Sequence, residues 1–180
     1  SARNLFRKVS FKYRDQLEYF ASLTPREQFM MGEEIITEIE RYRTLVEVIL
    51  IHRDRELLNL ELDLFTNSIA PFINLYGDYD YYTSLTDFVE GYYLSGQSEK
   101  AEDLVKSIII QYEDRFSRIA QLSKTNKKLF FDRIKGEILD FQELIYVVEL
   151  MGGVDLADSL QKRFDKSMEQ FELDNDSLVN

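Results

Sequence analysis

The chain has 180 residues, with 33 acidic and 22 basic side chains, no cysteine, one histidine and only 7 glycines and 2 prolines. Its net charge of −11 argues against electrostatic binding to nucleic acid or to anionic lipid surfaces, and the absence of cysteine excludes thiol nucleophiles, disulfides and thiolate metal sites. Because so few turn-forming residues argue against many short strands, the composition predicts an all-α protein.

Residues 4–72 predict three helices separated by short breaks. The clearest start is Thr24-Pro25-Arg26-Glu27, a capping box in which the threonine and glutamate side chains each accept a hydrogen bond from the other residue's backbone N–H. Proline suits the first helical position, since its missing N–H would have no partner there. We therefore expect helices to about residue 22, over 25–51 and over 54–69.

One extra helix is predicted over about 80–95, closed by Ser95-Gly96-Gln97-Ser98. Together with the helix that follows, it has a tetratricopeptide-like spacing, which predicts two antiparallel helices in close contact. Because a lone helical hairpin cannot bury its apolar face, it must stack on the flanking segments, and we expect one helical domain over residues 1–172. The residues with this spacing are Leu85, Phe88, Val89, Tyr92, Ala101, Val105 and Ile108.

The C-terminal half predicts three more helices, over about 99–121, 126–151 and 155–172, which brings the expected total to about seven. Breaks are indicated by the polar residues around 123–126 and by Gly152-Gly153. Residues 173–180 are polar and acidic, so a flexible tail is expected there.

The two groups of three helices resemble each other. Shifting the sequence by 99 positions aligns identical residues without an insertion, for example Glu38 with Glu137 and Phe65 with Phe164. An apolar seam at helical spacing is also kept twice. We therefore expect a pseudo-duplicated three-helix unit, 4–72 and 103–171, joined by the tetratricopeptide-like hairpin. The seams are Ile35, Ile39, Tyr42, Val46 and Ile49, and Ile134, Ile138, Phe141, Ile145 and Val148.

Familiar catalytic and metal-binding patterns are absent from the sequence. The single histidine, His52, has no glutamate three residues before it, which argues against a di-metal carboxylate site. One histidine is also too few for a histidine-based zinc site. No serine lies in a Gly-x-Ser-x-Gly elbow, and no glycine-rich phosphate loop occurs. We therefore predict no catalytic residue, no metal and no cofactor.

Acidic pairs leave an alternative open. Glu34 and Glu38 share one helical face, as Glu137 and Asp140 do in the second copy, and two carboxylates can share a proton or hold a divalent cation. Helix surfaces are often acidic without such a role. The recurrence of Glu38 and Glu137 at equivalent positions is also explained by an interhelical hydrogen bond or ion pair.

Tyrosine is concentrated between residues 76 and 93 and is interleaved with acids. A rigid ring with a hydroxyl group can stack on a sugar or bind a peptide, and neighbouring carboxylates accept hydrogen bonds, so this region predicts a binding surface. Aromatic side chains also fill cores, which leaves a structural role open. The candidate binding residues are Tyr76, Tyr79, Tyr81, Tyr82, Tyr93, Asp78, Asp80 and Glu90.

Several segments resemble a bacterial family of large multi-spanning membrane proteins that are glycosyltransferase-like and distantly similar to protein O-mannosyltransferases. The segments are Ser22-Leu23-Thr24, Glu38-Ile39-Glu40-Arg41-Tyr42-Arg43 and Phe88-Val89-Glu90-Gly91-Tyr92-Tyr93. In that family the membrane half precedes a soluble, helical, tetratricopeptide-like C-terminal region. The resemblance implies that this chain is that region, on the periplasmic face of the inner membrane, reaching the membrane only through upstream spans. It carries over no catalytic residue.

The leading prediction is a non-catalytic interaction domain that binds a protein, a peptide or a glycan and does not bind nucleic acid. The first alternative is a carboxylate-based hydrolytic or glycan-processing domain that uses Glu38 with Glu137 or Asp140. The second is a structural dimerisation module with an exposed heptad seam. Neither the ligand nor the oligomeric state follows from the sequence.

Overall fold

The computed structural model describes residues 2–172. Helices account for most of this range and no strand occurs in it, which confirms the predicted all-α class. The predicted tail, residues 173–180, lies outside the described residues. None of the helices within 2–172 is long and apolar enough to cross a bilayer.

Contacts divide the described chain into two compact units. Unit 1 contains the residues up to Tyr81 together with Gly91–Ser98, and unit 2 contains Tyr82–Glu90 and the residues from Glu99 onward. The prediction of one continuous domain stays a prediction. In chain order the helices are α1 (Ala2–Ala21), α2 (Pro25–Met30), α3 (Gly32–His52), α4 (Arg55–Ile69), a 3-10 helix (Ala70–Phe72), α5 (Ile73–Tyr76), α6 (Asp78–Thr83), α7 (Thr86–Leu94), α8 (Ser98–Ala120), α9 (Lys124–Leu129), α10 (Phe131–Leu150) and α11 (Val154–Glu172).

The described range is divided into more helices than the seven expected. The predicted helices 25–51 and 126–151 are each interrupted after one short helix, at Met31 (φ −101°, ψ 18°) and at Phe130 (φ −104°, ψ 10°). At each break the backbone N–H still donates to a carbonyl of the preceding turn, so the interruption costs little hydrogen bonding. The predicted helix 80–95 is likewise divided into α6 and α7.

Unit 1 has its core between α1, α3 and α4. The whole predicted seam of α3 is buried, as helical periodicity requires. Tyr42 lies at its centre, where its ring stacks on Tyr13 with centroids 5.7 Å apart and meets Phe65 edge-on at 5.1 Å. Leu58 and Leu62 on α4 are fully buried beside them.

Unit 2 has a core of aromatic rings contributed by α8, α10 and α11. Phe141 on α10 stacks on Tyr112 and Phe116, with centroids 5.4 and 6.2 Å away, and meets Phe164 edge-on at 5.2 Å. Of the predicted seam on α10, Ile138 is only half-buried and the other members are buried. Each unit is therefore centred on one aromatic side chain of its long helix.

The capping box predicted at the start of α2 is confirmed. The backbone N–H of Thr24 donates to Glu27 Oε2 at 2.9 Å, and the N–H of Glu27 donates to Thr24 Oγ1 at 3.4 Å. At the start of α9, Ser123 accepts one hydrogen bond from the N–H of Asn126, at 3.3 Å, and Asn126 stands where a reciprocal glutamate would be needed.

We expect Thr24→Ala to lower the free energy of unfolding by about 1 kcal/mol, because it removes both hydrogen bonds of the Thr24 hydroxyl, the one accepted from the Glu27 N–H and the one donated to Glu27 Oε2. Urea denaturation followed by circular dichroism measures the change. Ser123→Ala is the control and should cost less, since a single hydrogen bond is lost there. An equal or larger loss in Ser123→Ala would contradict the second hydrogen bond assigned to the Thr24 hydroxyl.

Candidate functional site

An open cleft of about 520 Å³ lies between α1 and α3 in unit 1. Its α3 side is polar because the polar side chains of α3 recur three or four positions apart, a spacing that places them on one face of the helix. We call it the acidic cleft. It is lined by Gln16 and Phe20 of α1 and by Glu33, Glu34, Thr37, Glu38 and Arg41 of α3.

The acidic cleft carries three glutamates against one arginine, a net charge of −2. Arg41 Nη1 lies 3.3 Å from Glu38 Oε2; the Arg41 side chain is 64% exposed and the Glu38 side chain 19%, so solvent screens this pair mainly from the arginine side. Neither Glu33 nor Glu34 forms an ion pair with any of the side chains that the structure describes. The described part of the chain also contains no group of three or more histidine or acidic side chains placed to hold a metal ion.

Unit 2 has ion pairs at the corresponding positions of α8 and α10. Glu137 is buried and receives two guanidinium groups: Arg115 Nε and Nη2 each lie 3.3 Å from its carboxylate oxygens, and Arg133 Nε lies 3.1 Å away. Glu38 stands 99 positions before Glu137, and Gln16 stands 99 positions before Arg115. At this 99-residue shift both positions of the first pair are glutamates, whereas unit 1 has the amide of Gln16 where unit 2 has Arg115.

These contacts bear on the carboxylate pairs considered for catalysis. Glu137 has its acceptor positions occupied by two guanidinium groups, an arrangement that explains its burial without any reaction. Partial burial raises the pKa of Asp140, and the nearby Glu143, Glu137 and Asp87 carboxylates add to the effect. Of the three acids in the catalytic alternative, Glu38 belongs to unit 1, whereas Glu137 and Asp140 belong to unit 2. The catalytic alternative stays an untested prediction.

The tyrosine-rich candidates fall into different environments. Tyr81 is only 7% exposed, so its ring contributes to packing. The Tyr76 hydroxyl donates to Glu40 Oε1 at 3.2 Å, and partial burial raises the pKa of this phenol. Asp78 and Asp80 are exposed in the first turn of α6. The remaining four candidates are half-buried: Tyr79 and Tyr93 in unit 1, and Tyr82 and Glu90 in unit 2. Their role as a binding surface stays a prediction.

A buried polar cluster in unit 1 was not predicted from the sequence. The Ser10 hydroxyl donates to Glu61 Oε2 at 2.5 Å, and the Tyr42 hydroxyl donates to the same oxygen at 3.2 Å. The three side chains are at most 1% exposed, and the second carboxyl oxygen of Glu61 has no partner within residues 2–172. Desolvation raises the pKa of Tyr42. We call Ser10, Tyr42 and Glu61 the polar cluster.

The 99-residue shift contains a signal for the polar cluster. The positions aligned with its three members are Ile109, Phe141 and Leu160, all of which are buried and apolar. A three-helix unit can therefore be packed without these hydroxyl and carboxyl groups. Three polar residues at positions whose counterparts 99 residues later are all apolar indicate a specific feature of unit 1.

Comparisons with known proteins add no relative. No protein-family model, characterised protein or solved structure shows a significant match to this chain.

Proposed function

We propose that the chain is a non-catalytic binding domain whose acidic cleft takes an arginine side chain from a partner protein. The observation that carries this proposal is the contact of Glu137 with Arg115 in unit 2, because it identifies the group that fits a glutamate at this place. The acidic cleft keeps the carboxylate, at Glu38, and has Gln16 where the arginine would stand.

The equivalence of the acidic cleft to the surroundings of Glu137 depends on a duplication of the three-helix unit, which we also propose. It is supported by helix boundaries that repeat at a spacing of 99 residues. Helix α2 covers 25–30 and α9 covers 124–129, α3 and α10 begin at 32 and 131, and α4 and α11 begin at 55 and 154. Thr24 and Ser123 cap the equivalent short helices with nearly the same backbone angles, φ −65° and −60° with ψ 155° and 154°.

Arginine fits the acidic cleft better than lysine does. A guanidinium group presents several N–H donors in one plane and can bind carboxylates in pairs, whereas an ammonium group is a strongly hydrated point charge. Glu34 and Glu38, four residues apart on α3, offer carboxylates on the same face. Glu34 replaces the second arginine of unit 2, Arg133, so the acidic cleft has gained a carboxylate as well as lost a cation.

The wider setting is also a proposal. The family resemblance supports a domain on the periplasmic side of a bacterial inner membrane, attached to a glycosyltransferase-like membrane protein. Its tetratricopeptide-like hairpin is supported by the burial of Phe88 and Val89 on α7 and of Ala101 and Val105 on α8. In that setting the acidic cleft would hold a basic segment of another protein.

The test uses a blocked, fluorescein-labelled Gly-Arg-Gly-Arg-Gly peptide and fluorescence anisotropy. We expect saturable binding that weakens about tenfold or more when citrulline replaces both arginines, because charge-assisted hydrogen bonds are lost. Glu34→Gln/Glu38→Gln should weaken the arginine peptide by a similar factor. Gln16→Arg/Glu34→Arg should do the same by placing the chain's own guanidinium groups in the acidic cleft.

A charge-matched control separates the cleft from general attraction to an acidic protein. Glu143→Gln/Glu149→Gln removes the same two charges from exposed positions of α10 and should leave the affinity within about twofold. Equal weakening by both double variants would contradict the proposal, as would equal binding of the citrulline peptide. Failure of the arginine peptide to bind at all would also overturn it.

A further inference from the structure

The break between α9 and α10 exposes three consecutive large apolar side chains. Leu129, Phe130 and Phe131 are 74%, 48% and 57% exposed. Because Phe130 departs from helical geometry, the chain turns at this point and leaves all three side chains accessible. We call Leu129, Phe130 and Phe131 the apolar corner.

Basic residues flank the apolar corner on both sides. Residues 127–135 contain four basic side chains and one acidic side chain, a net charge of +3 in a chain whose total is −11. Lys127 is buried, whereas Lys128 and Lys135 are exposed. Arg133 is 58% exposed although it pairs with Glu137. The local charge at this corner is therefore opposite in sign to that of the chain.

Unit 1 provides a natural comparison. Its equivalent break exposes Phe29 and Met30, 80% and 72% respectively. The flanking charges differ, however, because residues 28–36 contain two glutamates and no basic residue, a net charge of −2. Exposed apolar residues therefore accompany the break in both units, while the cationic surroundings occur only at the apolar corner.

We propose that the apolar corner and its flanking lysines dock on an anionic membrane surface. Apolar side chains at such a corner can enter the boundary between headgroups and acyl chains, where cationic neighbours meet anionic lipid. An exposed corner of three residues is too small for a stable protein interface, which buries about 800 Å² on each partner. A bilayer surface requires no matching shape. The net charge of the chain opposes such docking elsewhere, so contact should be confined to this corner.

The experiment exploits the absence of tryptophan from the chain. Phe131→Trp places one fluorophore in the apolar corner. We expect its emission to shift to the blue on phosphatidylcholine vesicles containing one quarter phosphatidylglycerol, and to stay unchanged on pure phosphatidylcholine. Lys128→Gln/Lys135→Gln in this background should lower the partition coefficient about twenty-fivefold, since each basic residue near an anionic surface contributes about fivefold.

Cosedimentation with the same vesicles tests the apolar contribution against a matched control. Leu129→Ser/Phe130→Ser/Phe131→Ser should abolish binding, and Phe29→Ser/Met30→Ser should retain it. All five side chains are exposed, so both variants are expected to keep the wild-type helical circular dichroism. The apolar corner lies in unit 2 and the acidic cleft in unit 1, so each proposal stands or fails by itself.

Several results would overturn membrane docking. These are equal binding to uncharged vesicles, retained binding by the triple serine variant, and equal loss of binding by Phe29→Ser/Met30→Ser. A fourth is a blue shift of the Phe131→Trp variant that grows with protein concentration and needs no vesicles. That result would mean that the apolar corner is buried against protein instead.

Discussion

Replacing Phe141 with alanine is expected to lower the free energy of unfolding by about 3–5 kcal/mol, the largest effect of any single substitution considered. Phe141 is fully buried and its ring contacts three other aromatic rings, on α8 and α11. Alanine would therefore lose the transfer free energy of the ring and leave a cavity among side chains that cannot all move inward. Urea denaturation followed by circular dichroism measures the loss.

Phe131→Ala is the matched control, because it removes the same side chain from an exposed position of the same helix. It should change the free energy of unfolding by no more than about 0.5 kcal/mol. Phe141→Tyr copies the residue at the equivalent position of unit 1 but supplies none of its hydrogen-bond partners. It should cost about 1–3 kcal/mol. If Phe141→Ala and Phe131→Ala had similar effects, the assigned core of unit 2 would be wrong.

The second large effect concerns the polar cluster, where single and combined substitutions should act in opposite directions. Ser10→Ala or Tyr42→Phe alone removes one of the two hydroxyl donors to Glu61 Oε2 and should cost about 1–3 kcal/mol, because a buried carboxyl group is left short of hydrogen bonds. The combined variant Ser10→Ala/Tyr42→Phe/Glu61→Leu removes the polar groups together. It should be as stable as the wild type or up to about 4 kcal/mol more stable, as other buried polar groups have been when replaced by apolar residues of similar volume.

The same denaturation series distinguishes this account from simple packing. If the hydroxyl groups only fill space, Tyr42→Phe should be nearly neutral and the triple variant should be the least stable. Alanine is chosen at position 10 because the isoleucine found at position 109 is much larger than serine and would overpack the site. Thr66→Val is a control for the loss of a hydroxyl group outside the polar cluster, since the Thr66 hydroxyl lies 3.2 Å from that of Tyr92.

The features that could be predicted from the sequence are local or periodic. The seam of α3 is buried as predicted, because a spacing of four and three residues places the side chains on one helical face whatever the rest of the chain does. The cap at Thr24 was equally predictable, since its two hydrogen bonds join residues only three apart. Both depend on short-range geometry alone.

The helix breaks could not be predicted in the same way. One non-helical residue at Met31 or Phe130 interrupts the helix without removing any apolar residue, so the periodic pattern continues through it. The break decides which residues are exposed, and for that reason the apolar corner was not predicted. A sequence pattern that identifies apolar residues does not reveal which of them a turn leaves in solvent.

The candidate sites were harder still, because their members come from different helices. Ser10, Tyr42 and Glu61 lie on α1, α3 and α4, and only packing brings them together. The tyrosine-rich region shows the converse problem, since residue type does not separate buried Tyr81 from half-buried Tyr79 on the same short helix. Comparing the aligned halves position by position is the sequence-based step that would have revealed the polar cluster.

If the chain is duplicated as proposed, the polar cluster also bears on how its two halves avoid being assembled wrongly. During folding, α4 could pack against the long helices of the other half, whose seams have the same spacing. Glu61 would then face Ile109 and Phe141, neither of which can donate a hydrogen bond, and the exchanged arrangement would be penalised. Leu160 needs no hydrogen-bond donor, so only the misplacement of α4 is penalised. The triple variant lacks Glu61 and should lose this penalty. Its refolding yield should therefore fall even where its native state is more stable.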